Sequence, residues 1–140
     1  MIVVDASVIV KWYFDEPGSD AAIALQDGRS GRMIAPDLLA VEVCGALVRD
    51  ANMLKRNRPG IREAVDDFRR AIEGGFIDLF RTSIEVTANS AALAIELGHP
   101  LKDCIYLGLA MSRECPLLTA DARFAEKARH GYADIKVLAE

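Results

Sequence analysis

The chain has few of the residues that build zinc sites, disulfide frameworks or membrane spans. Its two histidines, His99 and His130, are too few and too scattered for a zinc site. Its cysteines, Cys44, Cys104 and Cys115, are odd in number, widely spaced and surrounded by apolar residues, which indicates small core residues in a reducing compartment. No apolar run approaches the length of a membrane span, and the chain opens on a strand rather than a signal peptide. We therefore expect a cytoplasmic protein with no membrane partner.

The composition is that of a folded globular protein, with 51% hydrophobic and 27% charged residues in 140. This length predicts one domain, residues 1–140. The net charge of −4 is unevenly distributed: seven Lys/Arg and four Asp/Glu lie between Arg49 and Arg70, so this window is +3 and the rest is −7. Such a basic segment is compatible with binding a polyanion, and Arg49, Lys55, Arg56 and Arg58 are its candidate RNA contacts. The alternative is a helical hairpin whose charges only keep it in solution.

Short apolar runs alternate with helical patterns along the whole chain. Predicted strands lie at 2–4, 32–36, 76–81, 116–119 and 135–138. Predicted helices lie at 8–14, 20–27, from 37 onward, 61–72, from the cap at Thr82 to 97, 102–111 and 123–129. A capping box, with Thr82 at the cap and Glu85 three residues later, opens the fifth helix, and residues 56–60 are predicted to form a loop. Alternation of this kind predicts a parallel sheet between two helical layers.

The first apolar run, Ile2-Val3-Val4, ends abruptly on Asp5, and Ser7 follows two positions later. In open α/β sheets, ligands bind at the carboxyl ends of the strands. Asp5 is therefore expected at the floor of such a crevice. Taken alone, Asp5 or Ser7 is more typical of a helix N-cap than of a ligand site.

Three further acids complete a candidate site. Asp121 follows another short apolar strand, while Glu42 and Asp103 interrupt strongly apolar helices. Each has a simple alternative role, as a cap, a paired core acid or an acid favoured by a helix dipole. A shared site explains all four together better than four separate accounts.

Converging carboxylates repel one another, so some hold protons or a cation neutralises them. Ligation by oxygen alone suits a hard ion, Mg²⁺ or Mn²⁺, which binds phosphate oxygens and lowers the pKa of a bound water. Ser7 and Thr119, each two positions from an acid, are candidates to orient a ligand or a water. Phosphodiester hydrolysis is the reaction that this set fits best.

At these residues the chain resembles a known family. Asp5-Ala6-Ser7, Glu42 within Leu39–Val43, Asp103 within Lys102–Ala110, and Thr119-Ala120-Asp121 look like the motifs of PIN-domain nucleases, in the family's order. The size resembles VapC-type toxins of toxin–antitoxin modules. The resemblance implies a five-stranded parallel sheet, Mg²⁺ or Mn²⁺ dependence, RNA cleavage, a homodimer and a VapB-like protein antitoxin. It also implies that Asp5, Glu42, Asp103 and Asp121 are the catalytic, metal-binding acids. Lys102 departs from the pattern, since an aromatic or small residue is expected there; it either pairs with an acid or contacts phosphate.

Other functions fit less well. A haloacid-dehalogenase-type phosphatase needs a second Asp two positions after the first, where this chain has Ser7, and a receiver domain needs paired acids early. The stronger rival is a PIN-like module that binds RNA or protein without cutting. Trp12, Tyr13 and Phe14, beside a predicted surface break at 15–18, are either core residues or part of an antitoxin-binding surface.

Overall fold

The computed structural model describes residues 1–53 and 58–140, with the side chain of Arg58 left out. Its strands are β1 Ile2–Val4, β2 Met33–Pro36, β3 Ile77–Phe80, β4 Leu117–Thr119 and β5 Ile135–Val137. Its helices are α1 Ala6–Ile9, α2 Ser19–Ala24, α3 Leu38–Met53, α4 Arg58–Glu73, α5 Ile84–Leu97, α6 Leu101–Arg113 and α7 Ala122–Ala128. Single 3₁₀ turns, Val10–Trp12 and Leu25–Asp27, extend α1 and α2.

The five strands form one parallel sheet in the order β3-β2-β1-β4-β5. The chain builds outward from β1 to β2 and β3, then returns across the sheet to β4 and continues to β5. Right-handed crossovers place the helices of these two halves on opposite faces. In agreement, α3 packs on α1 and α4, and α5 packs on α6. The predicted parallel sheet between two helical layers is confirmed.

The core lies between the sheet and these helices. β1, β2 and β4 are buried along their whole length, which explains their continuous apolar sequences. β5 is the predicted edge strand; of its residues only Ile135 is buried.

Two predicted boundaries are wrong. Ser83, not Thr82, is the N-cap of α5, and its side chain accepts a hydrogen bond from the Val86 amide at 3.2 Å. The predicted loop at 56–60 is contradicted from Arg58 onward, because α4 begins there and includes Pro59 and Gly60. Proline is tolerated in the first turn of a helix, where its missing N–H has no intrahelical partner to lose. Residues 54–57 lie outside the described part of the chain.

Candidate active site

The site begins where the strand order reverses, between β1 and its neighbour β4. Val4 is in register with Leu118, so Asp5 and Thr119 come out of the sheet side by side. The Ser7 hydroxyl donates to Oδ1 of Asp5 and accepts the Ala120 amide at 2.9 Å. It also lies 3.4 Å from the Thr119 hydroxyl. Ser7 therefore joins the ends of the two strands around the Asp5 carboxylate.

Asp5 is a buried carboxyl, with 4% of its surface exposed. Burial raises its pKa to about 6, against the opposing effect of hydrogen bonds from the Ser7 and Thr119 hydroxyls. The negative charge of Asp103 raises it further. Asp5 occupies the N-cap position of α1, yet its side chain makes no capping hydrogen bond. Burial and the neighbouring acid both disfavour the charged carboxylate of Asp5 in the absence of a cation.

Glu42, on α3, is held by two residues of α6. The Tyr106 hydroxyl donates to Oε1 of Glu42 at 2.8 Å, and the Lys102 ammonium lies 3.6 Å from Oε2. Tyr106 is 1% exposed. Burial raises the pKa of its phenol far above the usual range, and the charges of Glu42, Asp5 and Asp103 raise it in the same direction. Tyr106 is therefore a neutral donor that three of the predicted acids surround.

Asp103, in the first turn of α6, pairs with a histidine four residues earlier, before the helix begins. Nε2 of His99 lies 2.6 Å from Oδ2 of Asp103. The His99 ring stacks on Phe124 of α7, with ring centroids 4.8 Å apart. The stacking fixes the ring, and the ring in turn fixes the rotamer of Asp103.

Asp121 lies next to this group, but its side chain caps the helix that follows it, α7. Its Oδ1 accepts the amides of Arg123 and Phe124 at 3.0 and 3.1 Å, so it is the N-cap of α7. Its own amide donates to the Thr119 hydroxyl at 3.1 Å. Thr119 thus connects Asp121 to the Ser7–Asp5 pair, and the second oxygen of Asp121 is not used in the cap.

Glu42 accepts the Tyr106 hydroxyl, Asp5 and Asp103 lie near enough for their charges to raise the pKa of the same phenol, and Asp121 lies at the adjoining strand end. Within residues 1–53 and 58–140, no three Asp, Glu, His or Cys side chains converge closely enough to hold one ion. The predicted common point of all four carboxylates is therefore not formed in this arrangement. Each acid other than Asp5 takes a hydrogen bond or ion pair from a residue outside the predicted set.

Sequence reasoning missed two members of this group, Tyr106 and His99. Tyr106 was visible as a spacing from Asp103, since residues three apart share a face of a helix, whereas His99 precedes α6 and is brought to Asp103 by the turn before that helix. They were overlooked because Tyr106 sits in a nearly all-apolar run and His99 was considered only as a zinc ligand. Lys102 was recognised as unusual, and it does pair with an acid.

The predicted RNA-contacting residues fall at the α3–α4 hairpin. Arg49 is exposed on α3. Lys55 and Arg56 lie outside the described residues, as does the Arg58 side chain. On α4, Arg69 pairs with Glu73 at 3.5 Å and Arg70 with Asp67 at 3.8 Å. Part of the positive charge of this segment is therefore neutralised locally.

The aromatic residues after α1 are half-buried and pack on the core. Trp12 donates to the Ala22 carbonyl at 2.8 Å and meets Phe76 edge to face. Tyr13 packs in the same way against Phe68. Each ring keeps an exposed part, so core packing accounts for only some of its surface.

In the part of the chain that the structure describes, no helix combines the length and apolarity needed to cross a membrane.

Comparisons with known proteins agree with this architecture. A family model described as PIN domain matches residues 2–130. The crystal structure of PAE2754 from Pyrobaculum aerophilum is similar with a TM-score of 0.66 and 20% identity, covering 90% of this chain and 83% of that chain. That of FitAcB from Neisseria gonorrhoeae has a TM-score of 0.66 and 15% identity, covering 99% and 96%. At these identities the likeness shows the fold alone. A comparison with curated proteins found no match.

Proposed function

The chain belongs to the PIN-domain family, and from that premise we propose that residues 1–140 form one metal-dependent endoribonuclease domain. The observation that carries the proposal is the grouping of Asp5, Glu42 and Asp103 around the buried Tyr106 hydroxyl. Asp121 adds a fourth acid at the neighbouring strand end. A crevice at the carboxyl ends of parallel strands, where the strand order reverses, is where α/β proteins bind ligands.

The donor atoms of these residues suit a hard divalent ion, which would have to draw the carboxylates closer together than they lie in the described part of the chain. The four candidate ligands offer carboxylate oxygens only, and the charge of Asp103 already raises the pKa of the buried Asp5. Asp5, Glu42, Asp103 and Asp121 would hold Mg²⁺ or Mn²⁺. When bound, the ion supplies a Lewis acid that lowers the pKa of water and stabilises charge on a phosphodiester.

The surrounding residues hold these acids in position. Ser7 and Thr119 direct hydroxyls toward Asp5, and Tyr106 fixes one oxygen of Glu42. His99 fixes one oxygen of Asp103. Hydrogen bonds to a carboxylate favour its charged form, which is the form that binds a cation.

RNA is the proposed substrate, and the positive charge of the α3–α4 hairpin supports this choice. Arg49 is exposed there, and Lys55, Arg56 and Arg58 follow in the sequence. Single-stranded RNA is bound through phosphate contacts of this kind, with specificity left to loops.

We further propose that the chain is a VapC-type toxin, active as a homodimer and inhibited by a VapB-like antitoxin. The motif resemblance supports this, as does an unusual surface on the hairpin. Val41 and Val48, seven residues apart on α3, are 76% and 49% exposed. Beyond them, a groove of about 730 Å³ is lined by the apolar residues Val48, Ala51, Pro59, Ile61 and Val65, together with Asn52, Arg62 and Asp66. Exposed apolar surface of this extent is typical of a protein partner's binding site.

The cytoplasm is the proposed location. The thiols of Cys44, Cys104 and Cys115 are free, and burial raises the pKa of each. Unreactive free thiols suit a reducing compartment.

Cleavage of total RNA in Mg²⁺, Mn²⁺ or EDTA tests the enzyme, with the wild type beside Asp5→Asn. Asp20→Asn, on the exposed side of α2, is the control for loss of one carboxylate. We expect cleavage in both metals, none in EDTA, and a loss of orders of magnitude for Asp5→Asn alone. Cleavage that survives EDTA would overturn the metal mechanism. RNA binding without cleavage would instead favour a PIN-like binding module.

Expression in a bacterial host tests the toxin. We expect growth arrest that requires Asp5 and that is relieved by the product of the neighbouring small open reading frame. Sedimentation at micromolar concentration tests the homodimer, and a monomer there would count against it.

A further inference from the structure

Lys102 places a positive charge at the entrance to the acidic site. It lies in the first turn of α6, directly before Asp103, and its side chain is 69% exposed. The ammonium lies 3.6 Å from Oε2 of Glu42. Among the described residues, no other lysine or arginine forms an ion pair with one of the four acids.

The pair is loose. At 3.6 Å the ammonium is beyond hydrogen-bonding distance, whereas the Tyr106 hydroxyl binds the other oxygen of Glu42 at 2.8 Å. An exposed lysine pair of this kind contributes little stability, and the flexible stem leaves the ammonium free to turn elsewhere. Tyr106 therefore positions Glu42, and Lys102 is the exchangeable partner.

The charge of the site requires such a cation. Glu42 accepts the Tyr106 hydroxyl, and Asp5 and Asp103 lie near the same phenol, so negative charge at this site repels a phosphodiester that approaches it. A divalent ion bound to the acids would compete with the ammonium for Glu42. The displaced ammonium, on an exposed and flexible stem beside Glu42, would then be available to a phosphate oxygen.

We propose that Lys102 is a substrate-binding residue that contacts an RNA phosphate oxygen when the acids hold a divalent ion, and pairs with Glu42 when they do not. The inference rests on the proposed function, because it assigns this residue to the same site. It makes Lys102 a metal-dependent phosphate contact rather than a permanent partner of Glu42.

A different role is that Lys102 only neutralises Glu42. Both roles predict that Lys102→Ala binds Mn²⁺ more tightly than the wild type, since a competing cation is removed. They differ for RNA. If Lys102 only neutralises Glu42, its removal leaves the RNA contacts unchanged. If it binds phosphate, its removal also removes one RNA contact.

The test uses the full chain and a fluorescent single-stranded RNA oligonucleotide of mixed sequence. Anisotropy gives the binding constant over a series of salt concentrations, in EDTA and in Ca²⁺, a hard divalent ion of the same charge. The variants are Lys102→Ala, Lys102→Arg and the control Arg29→Ala. Arg29 also forms an exposed ion pair, with Asp27 at 3.4 Å. It precedes β2 and so lies toward the amino-terminal ends of the strands, whereas the site lies at their carboxyl ends.

In Ca²⁺ we expect Lys102→Ala to bind RNA several-fold more weakly and to lower the salt slope by about 0.7, the value for one phosphate contact to a single strand. Lys102→Arg should keep the slope, and Arg29→Ala should match the wild type. In EDTA the wild type and Lys102→Ala should bind RNA alike. Mn²⁺ titration calorimetry without RNA should show tighter binding by Lys102→Ala.

An unchanged salt slope for Lys102→Ala in Ca²⁺ would overturn the inference, as would a wild type that binds no RNA. The cleavage assay is separate. A chain that binds RNA through Lys102 without cutting it would contradict the nuclease but keep this contact. A chain that cuts RNA, but whose salt slope does not change in Lys102→Ala, would support the nuclease and contradict the Lys102 contact.

Discussion

The hydroxyl of Tyr106 donates a 2.8 Å hydrogen bond to Oε1 of Glu42, and so links α6 to α3 across the candidate active site. The phenol is buried, and acids on three elements raise its pKa, so it stays protonated and can only donate to a carboxylate. A neutral donor among these acids fixes the direction of Glu42 without adding a positive charge that would compete with a bound metal ion.

Tyr106→Phe keeps the ring and removes this hydrogen bond. We expect a folded protein whose Glu42 is poorly oriented, with Mn²⁺ affinity and RNA cleavage each reduced about ten-fold or more. Calorimetry with Mn²⁺ and a cleavage time course measure the two effects. Tyr132→Phe is the matched control, because its hydroxyl donates to the Cys115 carbonyl at 3.1 Å, away from the acids. Equal metal affinity in the two variants would contradict a positioning role for Tyr106.

Asp5→Asn should stabilise the metal-free protein, increasingly so as pH rises. The Asp5 pKa is about 6 in the folded protein and 3.8 in the unfolded chain. The folded state therefore keeps a proton that the unfolded state loses, and stability falls as pH rises from about 4 to about 6. Above pH 6 this loss in the free energy of unfolding is about 3 kcal/mol at most. Denaturation in EDTA at pH 4 and pH 7 measures it, with Asp20→Asn as the control. Parallel pH curves for wild type and Asp5→Asn would refute this account of Asp5.

Ser7→Ala should weaken the junction between β1 and β4. It removes a donor to Asp5 and leaves the Ala120 amide without its acceptor. We expect a loss of about 1–3 kcal/mol in the free energy of unfolding. Urea denaturation measures the loss. Ser112→Ala, an exposed serine on α6 whose hydroxyl donates to the Leu109 carbonyl, should change stability by less than about 0.5 kcal/mol. Similar losses in the two variants would argue against a special role for Ser7.

Two glycines should respond oppositely to alanine. Gly98 ends α5 with φ of +63° and leads directly into His99, so Gly98→Ala should destabilise by about 1 kcal/mol. Gly45 lies inside α3, and a Cβ there would meet nothing within 4 Å. Gly45→Ala should therefore stabilise by up to about 1 kcal/mol. Thermal denaturation of both gives the signs, and a stabilising Gly98→Ala would contradict the left-handed end of α5.

The pattern of the sequence determined the fold. Buried parallel strands carry unbroken apolar runs, and helices carry their own period, so each element could be recognised locally. The ends of the helices were harder to predict, because neighbouring residues of similar chemistry can each form the same N-cap. Thr82 and Ser83 have the same chemistry, and only the path of the chain chose Ser83.

The sequence by itself also determined which carboxylates stand out, since Asp5, Glu42, Asp103 and Asp121 each interrupt apolar surroundings. Only the tertiary structure decided what each acid contacts. Tyr106 reaches Glu42 across 64 positions, and His99 is fixed by a ring from another helix. Such partners depend on how helices pack, and packing brings together residues whose separation along the chain carries no periodic signal.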